Sequence, residues 1–407
     1  MPKFRVVNAT LVLPDREIAG GAIDVDGGRI GAVGRHDELP PWSGPIVDAG
    51  GGFVAPGFVD IHVHGGGNAD FMDGTIEAFE TAVRAHTRHG TTSIVPTSTV
   101  ARHEQTLTFL ENTRALHRRG AQPQLGLGRV VGAHLYGPYF SEERVGCHPK
   151  DPARPPNPAE YEEYLEFADV MLTATCAPEL PGAEDFFRAA ASKGIRLNAG
   201  HSNATWTEMA AAYAQGMRHV DHLYCAMSSV ASLRERCGTP MQASMLEFVL
   251  ATDDMTTEVI ADGRHLSPEL LRFVARVKGA ASTALVTDCS RALDQRPGVY
   301  TFGPLDGGET FHSDGGVGLM PGSTNLASSV RGMDFMVRHM HQQVGLDLPT
   351  AVRMASLTPA TIIGLQHEIG SLATGRRADL VFLDEGLNVT RVFLDGEEAA
   401  LDHSGGG

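Results

Sequence analysis

The middle of the chain alternates between short runs of apolar or β-branched residues and segments with helical periodicity. The first run, "GFVDIHVH" (57–64), is followed by "TIEAFETAVRAHTRHG", which has the pattern of an amphipathic helix. Eight such runs occur, at residues 57–64, 91–99, 130–138, 170–179, 195–202, 219–227, 256–265 and 283–290. Eight strands alternating with helices predict an α/β fold, the parallel (β/α)₈ TIM barrel. A doubly wound open sheet is less favoured, because no GxGxxG turn follows the first strand.

The two ends of the chain have a different pattern. Residues 1–52 alternate apolar and polar positions, with turn signals at "DGGR" and "AGGG", and residues 378–398 resume this alternation. The pattern predicts a small β-sandwich built from both termini. We therefore expect residues 1–52 to form its first part, 53–356 the barrel, and 357–400 a C-terminal helix and the second part. The tail 401–407, which ends in "HSGGG", is expected to be disordered.

The composition is typical of a globular protein and argues against two classes of binding partner. The 407 residues, 42% of them hydrophobic, suffice for a barrel of about 250 residues and a smaller unit. The net charge of −16 argues against nucleic acid or an anionic membrane as a partner. The five cysteines are scattered and form no CxxC pair, which favours a reducing compartment. Since no apolar run reaches membrane-spanning length, we predict a cytoplasmic protein.

The predicted barrel strands end in residues that can bind a metal ion. The first strand closes with His62-Val63-His64, and alternation places both imidazoles on the face that looks into the active site of a barrel. The fifth strand closes with His201, the sixth with His222 and the eighth with Asp288. One histidine of this kind is more often a structural or surface residue. Five such groups at strand ends predict a metal site, because imidazoles suit Zn²⁺ or Fe²⁺ and a carboxylate can move a proton.

Several segments resemble the amidohydrolase superfamily and, within it, the N-acetylglucosamine-6-phosphate deacetylases. They are "APGFVDIHVHGGG", "LNAGHSNAT", "DHLYCAM", "IADGRHLSPELL", "LVTD" and "MPGSTNLASSV", and the likeness runs from about residue 4 to residue 397. The resemblance implies a metal-dependent barrel with a small β-sandwich from both termini. It also implies a hydrolase that removes the acetyl group from an N-acetyl amino sugar and releases acetate.

The third predicted strand departs from the family at the metal site. In the family it ends His-Leu-Glu-Gly-Pro and the Glu binds metal, whereas Tyr136 stands at that position here. A neutral phenol with a pKa of about 10 is a poor ligand for a divalent metal. The resemblance then implies one metal ion, Zn²⁺ or else Fe²⁺ or Mn²⁺. Its expected ligands are His62, His64, His201 and Asp288.

In the family pattern His222 also belongs to the metal site, but here we expect it to bond the reactive water. Tyr136 is expected near the vacated position, where it can contact substrate or water. A metal site that has lost its function is the alternative interpretation of the same substitution.

The resemblance also implies the catalytic and substrate-binding residues. Asp288 is expected to act as general base and then as general acid, while His265 of "DGRHL" polarises the amide carbonyl. The other expected contacts are Tyr136, Cys147 and His148 of "GCHP", Cys225 and Ala226 of "HLYCAM", and Met320. Cys225 replaces a substrate-binding Asn of the family. The resemblance implies N-acetylglucosamine-6-phosphate or a close analogue as substrate, and the larger departure at the substrate-binding positions than at the catalytic ones suggests that the substrate is altered.

The last implication is a homodimer. Arg234-Glu235 resembles a family Arg-Glu pair whose Arg reaches the phosphate in the neighbouring subunit's active site, and either Arg234 or Arg236 is expected to serve. Two alternatives stay open for the function. The one-metal site resembles that of deaminases, so the chain could be a deaminase or cyclic amidase. It could also be a non-catalytic relative that binds an amino-sugar phosphate.

Overall fold

The computed structural model describes residues 2–401, so residues 402–407 of the predicted disordered tail lie outside the described residues. The strands, in chain order, are β1 Lys3–Val12, β2 Glu17–Asp26, β3 Arg29–Arg35, β4 Ile46–Asp48, β5 Phe53–Pro56, β6 Phe58–Val63, β7 Gly65–Gly66, β8 Ala69–Asp70, β9 Thr91–Pro96, β10 Arg129–Val130, β11 Ala133–Tyr136, β12 Met171–Thr175, β13 Arg196–Ala199, β14 His219–Val220, β15 Thr256–Ile260, β16 Thr283–Val286, β17 Gly298–Phe302, β18 Glu309–Ser313, β19 Val317–Leu319, β20 Leu326–Ser329, β21 Leu380–Leu383, β22 Val389–Leu394 and β23 Glu397–Glu398.

The α-helices, in chain order, are α1 Ile76–Arg88, α2 His103–Arg119, α3 Pro158–Leu165, α4 Ala183–Ser192, α5 Trp206–Ala214, α6 Val230–Cys237, α7 Met245–Ala251, α8 Pro268–Val277, α9 Met333–His339, α10 Leu348–Ala355 and α11 Leu357–Ile362. A π-helical turn, Met340–Val344, follows α9 directly.

Parallel strands form the centre of the molecule, as predicted. β6 pairs with β9 and β9 with β10, and a parallel bridge from Thr97 to His134 links β9 to β11. From β11 the strands follow one another in parallel through β12, β13, β14, β15 and β16. The barrel closes where the Asp288 N–H donates to the His62 carbonyl, at 2.9 Å. Each of the eight predicted runs contributes a strand, which confirms the TIM-barrel type of fold.

Helices cover the outside of the barrel because each has one apolar face. α1 is typical: the Thr75 hydroxyl accepts from the Ala78 N–H and so satisfies one of the free donors at its start. Its buried side includes Phe79, Ala82 and Val83, which belong to the same core as the barrel strands. Covering both faces of a parallel sheet in this way is what buries its near-continuous apolar strands.

The loop after β14 begins earlier than the sequence pattern predicted. We expected a strand over residues 219–227, but β14 ends at Val220. Tyr224 and Ala226 have φ angles of 76° and 46°, in the left-handed region that ends a strand. The apolar residues of "HLYCAM" therefore turn over the end of the barrel instead of continuing along it.

An antiparallel sheet, which the sequence analysis did not predict, lies between β16 and α9. It consists of β17, β18, β19 and β20 in that order. Its runs of apolar residues are short and interrupted by turn residues, so they carry little periodic signal. The Ser329 N–H donates to the Asp288 carbonyl at 3.0 Å, which returns β20 to the end of β16.

Both termini contribute to one eight-stranded sheet. Its path is β23-β22-β21-β5-β1-β2-β3, with β4 also pairing with β1. The sheet mixes both directions, since β4 and β5 run parallel to β1 because the chain crosses over after β3. Arg129 of β10 bonds Asp379 at 3.0 Å and Asp395 at 2.5 Å, so a buried ion-pair network ties this sheet to the barrel.

Two features of the structure relate to the predicted cytoplasmic location: the state of the cysteines and the length of the helices. All five cysteines are unpaired. Within residues 2–401, no helix combines the length and apolar character needed to cross a membrane. The cytoplasmic location stays a prediction.

His89 connects three parts of the barrel exterior through two carboxylates. Its Nδ1 lies 2.9 Å from an Asp334 oxygen at the start of α9, and its Nε2 lies 2.9 Å from an Asp294 oxygen. Burial opposes charge on the ring, but Asp334 and Asp294 outweigh it and raise the pKa of His89 to about 10. Asp294 belongs to the segment that follows Asp288, so this bridge holds the chain beside the barrel's closing strand.

His89→Asn should lower stability in a pH-dependent way. Because the pKa of His89 is raised above 6.5, its stabilising effect should be complete below pH 6.5 and lost as the pH rises through about 10. We expect a loss of roughly 2–3 kcal/mol in the free energy of unfolding at pH 6, since hydrogen bonds to charged groups are removed. Urea unfolding of both proteins at pH 6, 8 and 10 measures the difference. The exposed His36→Asn serves as control, and a loss that did not shrink toward pH 10 would contradict the assignment.

Candidate metal and substrate site

Three side chains converge at the carboxyl ends of the first and last barrel strands. His62, His64 and Asp288 each offer one ligand atom, and these atoms lie within 4.8 Å of one another. The Asp288 Oδ1 lies 3.2 Å from His64 Nε2 and 3.8 Å from His62 Nε2. Closure of the barrel brings them together, since β6 and β16 meet at this point. All three are buried, in the arrangement that a metal ion with imidazole and carboxylate ligands needs.

The orientation of the imidazoles fits metal binding. In His62, His64 and His201 the Nδ1 atom lies against an oxygen acceptor, so Nδ1 donates and Nε2 is left as the nitrogen that faces the site. The acceptors are the Glu258 carboxylate, the Thr97 carbonyl at 3.2 Å and the Arg144 carbonyl at 2.7 Å, respectively. The His62 Nε2 is buried and has no hydrogen-bond partner among the described residues.

The protonation of these groups follows from burial and from their neighbours. Burial opposes charge on His62, but Glu258 outweighs it and raises the pKa to about 9, and a bound metal would replace the proton on Nε2. Burial lowers the pKa of His201 well below its ordinary value. For Asp288, burial favours the neutral form, yet the neighbouring imidazoles of His64 and His62 hold its pKa well below the usual range. Asp288 is therefore a carboxylate that can bind metal or accept a proton.

His222 is set apart from the other three imidazoles by Tyr136. The Tyr136 hydroxyl lies 2.5 Å from His222 Nε2. Burial raises the pKa of Tyr136 well above its ordinary value and lowers that of His222 to about 4. The phenol therefore stays protonated, and its O–H donates a hydrogen bond to the Nε2 atom of the neutral His222 imidazole. In this arrangement the His222 Nε2 lone pair is already used, although its ring lies only 5.2 Å from that of His62.

Backbone conformation is unusual at several residues of the site. His201 and Asp288 have φ angles of 45° and 44°, in the left-handed region. Each such residue costs about 1–3 kcal/mol and persists where the surrounding structure fixes it, most often at functional sites. Both follow the last residue of a strand closely, so the turn aims their side chains across the barrel mouth.

A cavity of about 380 Å³ opens beside these groups. Of the predicted residues it is lined by His64, Tyr136, Cys147, His148, His201, His222, Cys225, Ala226, His265 and Asp288. His62 lies behind this surface. Met320 does not line it but lines a neighbouring cavity of about 870 Å³, which His148 and Gly146 also border. The predicted substrate residues are therefore brought together, with the exception of Met320 and Arg234.

The two arginines proposed for the partner's substrate differ in their contacts. Arg236 forms an ion pair with Glu208 at 2.7 Å and donates to the Asn203 carbonyl at 2.6 Å. Arg234 is exposed on the same helix, α6, and forms no ion pair within residues 2–401. Of the two arginines, Arg236 is therefore the one held by contacts within its own chain.

Sequence reasoning missed part of the lining. The missed residues are Glu143, Arg144, Gly146, Tyr224, Phe302, Thr324, Asn325, Leu326 and Ser328. Five of them, from Phe302 to Ser328, lie in the sheet inserted after β16 or in its β19–β20 connection, for which no strands were predicted. Glu258 was also missed, and its signal was present: a charged residue within the apolar run "TTEVIADG".

Comparison with known proteins gives a consistent result. The family model described as the amidohydrolase family matches residues 53–399. N-acetylglucosamine-6-phosphate deacetylase of Bacillus subtilis is 28% identical over 397 residues, which cover 97% of each chain. N-acetylgalactosamine-6-phosphate deacetylase of Escherichia coli O157:H7 is 30% identical over 372 residues, covering 91% of this chain and 93% of that one.

Solved structures agree with the sequence comparisons. N-acetylglucosamine-6-phosphate deacetylase from Pasteurella multocida superimposes with a TM-score of 0.88 at 27% identity, covering 98% of this chain and 100% of the other. A mutant of the Mycobacterium smegmatis deacetylase in complex with N-acetyl-D-glucosamine-6-phosphate gives a TM-score of 0.87 at 29% identity, covering 98% and 99%.

The double substitution His62→Ala with His64→Ala should abolish metal binding. It removes two of the three converging ligand atoms, and Asp288 with His201 is too small a ligand set to hold a divalent ion. Elemental analysis of the purified protein measures the metal content. The surface pair His36→Ala with His312→Ala, which removes two exposed histidines, should keep it. A full equivalent of metal in the first variant would show that the site lies elsewhere.

Substitutions of Tyr136 should separate a one-metal site from a two-metal site. Tyr136→Phe should keep the metal, because the phenol bonds His222 and not the converging triad. Tyr136→Glu should raise the stoichiometry toward two, because it adds a carboxylate beside the freed His222 nitrogen. Tyr136→Gln has the same shape without the charge and should stay at one. Loss of metal from Tyr136→Phe would instead make the phenol part of the first site.

Proposed function

The chain belongs to the amidohydrolase family, and we propose that it is a metal-dependent hydrolase that deacetylates an N-acetyl amino sugar phosphate. The substrate is N-acetylglucosamine-6-phosphate or a close analogue, and the products are acetate and the amino sugar phosphate. The observation that carries this proposal is the convergence of His62, His64 and Asp288, with Nε2 of each imidazole facing the site. The deacetylases that share its fold over nearly the whole chain support the reaction type.

The proposed cofactor is one divalent metal, Zn²⁺, held by His62, His64, His201 and Asp288. The donor set of neutral imidazoles and a carboxylate fits zinc, and Fe²⁺ and Mn²⁺ are the ions to compare with it. A single ion is favoured because Tyr136 occupies the His222 nitrogen and supplies no charge of its own. When bound, the metal supplies a Lewis acid that activates water and polarises the amide carbonyl.

In the proposed reaction Asp288 transfers the proton and His265 stabilises the charge that develops on the carbonyl oxygen. The Asp288 carboxylate accepts the proton of the attacking water and returns it to the departing amine nitrogen. His265 stands across the cavity, with its Nδ1 held by an Asp262 oxygen at 2.7 Å. Burial opposes charge on His265, but this bond and the charge of Asp262 raise its pKa. Its Nε2 is thereby suited to donate to the carbonyl oxygen as negative charge develops there.

Substrate recognition in this proposal comes from loops around the cavity. Cys147 and His148 lie on one side, Cys225 and Ala226 on the other, and Met320 borders the adjoining space. Tyr136 lies between the metal ligands and the sugar. The exposed Arg234 reaches the phosphate in the partner's site, which makes the protein a homodimer in this proposal.

The organisation of the chain is part of the same proposal. The predicted small β-sandwich unit (1–52 and 357–400) corresponds to the eight-stranded sheet and the predicted barrel (53–356) to the catalytic part, except that β5, Phe53–Pro56, pairs within the eight-stranded sheet and the barrel strands begin with β6. The location is the cytoplasm, where five unpaired cysteines stay reduced.

The purified protein should release acetate from N-acetyl amino sugar phosphates in the presence of Zn²⁺. The assay compares acetate and ammonia release over N-acetylglucosamine and N-acetylgalactosamine, each with and without the 6-phosphate. Ammonia without acetate would replace the proposal by a deaminase, as the one-metal arrangement also allows. Phosphate-sugar binding without turnover of any substrate would indicate a non-catalytic relative.

Asp288→Asn tests the proton transfer proposed for this carboxylate. Asparagine has the same shape and tolerates the left-handed backbone at this position, but it cannot accept a proton. We expect a folded protein whose kcat falls at least ~10²-fold. Near-normal turnover would remove Asp288 from the mechanism.

A further inference from the structure

Glu258 is a fully buried carboxylate beneath the candidate metal site. It lies in β15, is 1% exposed and is flanked by Thr257 and Val259, which are also buried. A carboxylate in such a place is costly unless every lone pair finds a donor. Because Glu258 lies in the barrel interior, its carboxylate needs hydrogen-bond donors from neighbouring residues.

Three donors converge on this carboxylate. Its Oε1 accepts from the Nδ1–H of His62 and from the backbone N–H of His222, the latter at 3.1 Å. Its Oε2 accepts from His219 Nε2 at 3.3 Å. His219 is held in turn, because its Nδ1 lies 2.8 Å from the Thr256 hydroxyl. Glu258 is thus a fixed group, with both oxygens bonded.

The bond to His62 has a direct consequence for a ligand atom. A carboxylate on Nδ1 fixes the proton there, so Nε2 is the nitrogen that faces Asp288. The same bond fixes the plane of the ring and increases the basicity of Nε2. Neither His64 nor His201 has this support, because both donate to a neutral backbone carbonyl.

Glu258 also links parts of the site that come from different strands. From β15 it bonds His62 on β6, and it bonds the backbone of His222 just after β14. The second bond fixes the start of the turn that carries Tyr224 and Cys225. One side chain therefore sets the geometry of a candidate ligand and of the neighbouring loop.

We infer that Glu258 is a positioning residue for the metal, holding His62 as a ligand through Nδ1 without touching metal or substrate itself. The inference rests on the proposed function only in that it requires a metal at His62. It does not depend on which amide the enzyme hydrolyses.

The test is a Zn²⁺ titration of metal-free wild-type protein, Glu258→Gln and Asp379→Asn against a chromogenic chelator. Glu258→Gln keeps the shape but removes the charge, and zinc affinity should fall about 10–100-fold. Asp379→Asn is the matched control, since it neutralises a buried carboxylate that pairs with Arg129, remote from the candidate ligands. It should lower the melting temperature and leave zinc affinity unchanged.

The outcomes separate the inference from the proposed function. Wild-type zinc affinity in Glu258→Gln would overturn the inference and leave the deacetylase proposal standing. Equal affinity losses in both variants would also overturn it, since general destabilisation would then explain the loss. Weaker zinc binding in Glu258→Gln alone supports it, even when no tested sugar is deacetylated. Wild-type protein that binds no zinc would overturn both proposals.

Glu258→Asp covers the case in which the amide variant does not fold. It keeps the charge but withdraws the carboxylate from His62 by one methylene group. Zinc affinity should again fall relative to wild type, whereas an unchanged affinity would show that the contact with His62 is not needed.

Discussion

Closure of the barrel through the Asp288 N–H and the His62 carbonyl is the contact on which the candidate site depends. In a parallel barrel the first and last strands are far apart along the chain and become neighbours only when the sheet closes. Here that junction places His62, His64 and Asp288 within reach of one ion. The inserted sheet bonds to the same residue, since the Ser329 N–H donates to the Asp288 carbonyl. The geometry of the metal site is consequently a property of the whole fold and not of one loop.

The replacement of an expected carboxylate by Tyr136 changes the charge of the site as well as its shape. A carboxylate at this place would offer a second ion a negative ligand next to His222. The phenol instead stays neutral, and its O–H donates a hydrogen bond to His222 Nε2. The negative charge then resides on Asp288, which faces the cavity, and on Glu258, which lies beneath it. The single divalent ion proposed above would balance these two negative charges, one on a candidate ligand and one on the residue that supports His62.

The sequence predicted the parts of this structure that depend on local periodicity. Alternation of side chains in "GFVDIHVH" was sufficient to place His62 and His64 on one face of a strand. The succession of predicted strands and helices placed His201 and Asp288 at strand ends. Left-handed residues such as Tyr224 and Ala226 carried no periodic signal, so the early end of β14 was missed. The bond between Tyr136 and His222 joins positions 86 residues apart, and neither side chain reveals its partner from the sequence.

Long-range pairing also explains why Glu258 escaped the sequence analysis. A charged residue within an apolar strand signals a buried partner, but it does not say which of several histidines that partner is. The structure resolves this because β15 runs between β14 and β16, and β16 adjoins β6 where the barrel closes, so the carboxylate meets His62 in the barrel interior. The metal-facing groups are thus held from below by the strands, whereas Cys147, Cys225 and the inserted sheet approach from the loops above. Substitutions in the loops, such as Cys225 in "HLYCAM", can therefore change the cavity while the strands keep the candidate metal ligands in place.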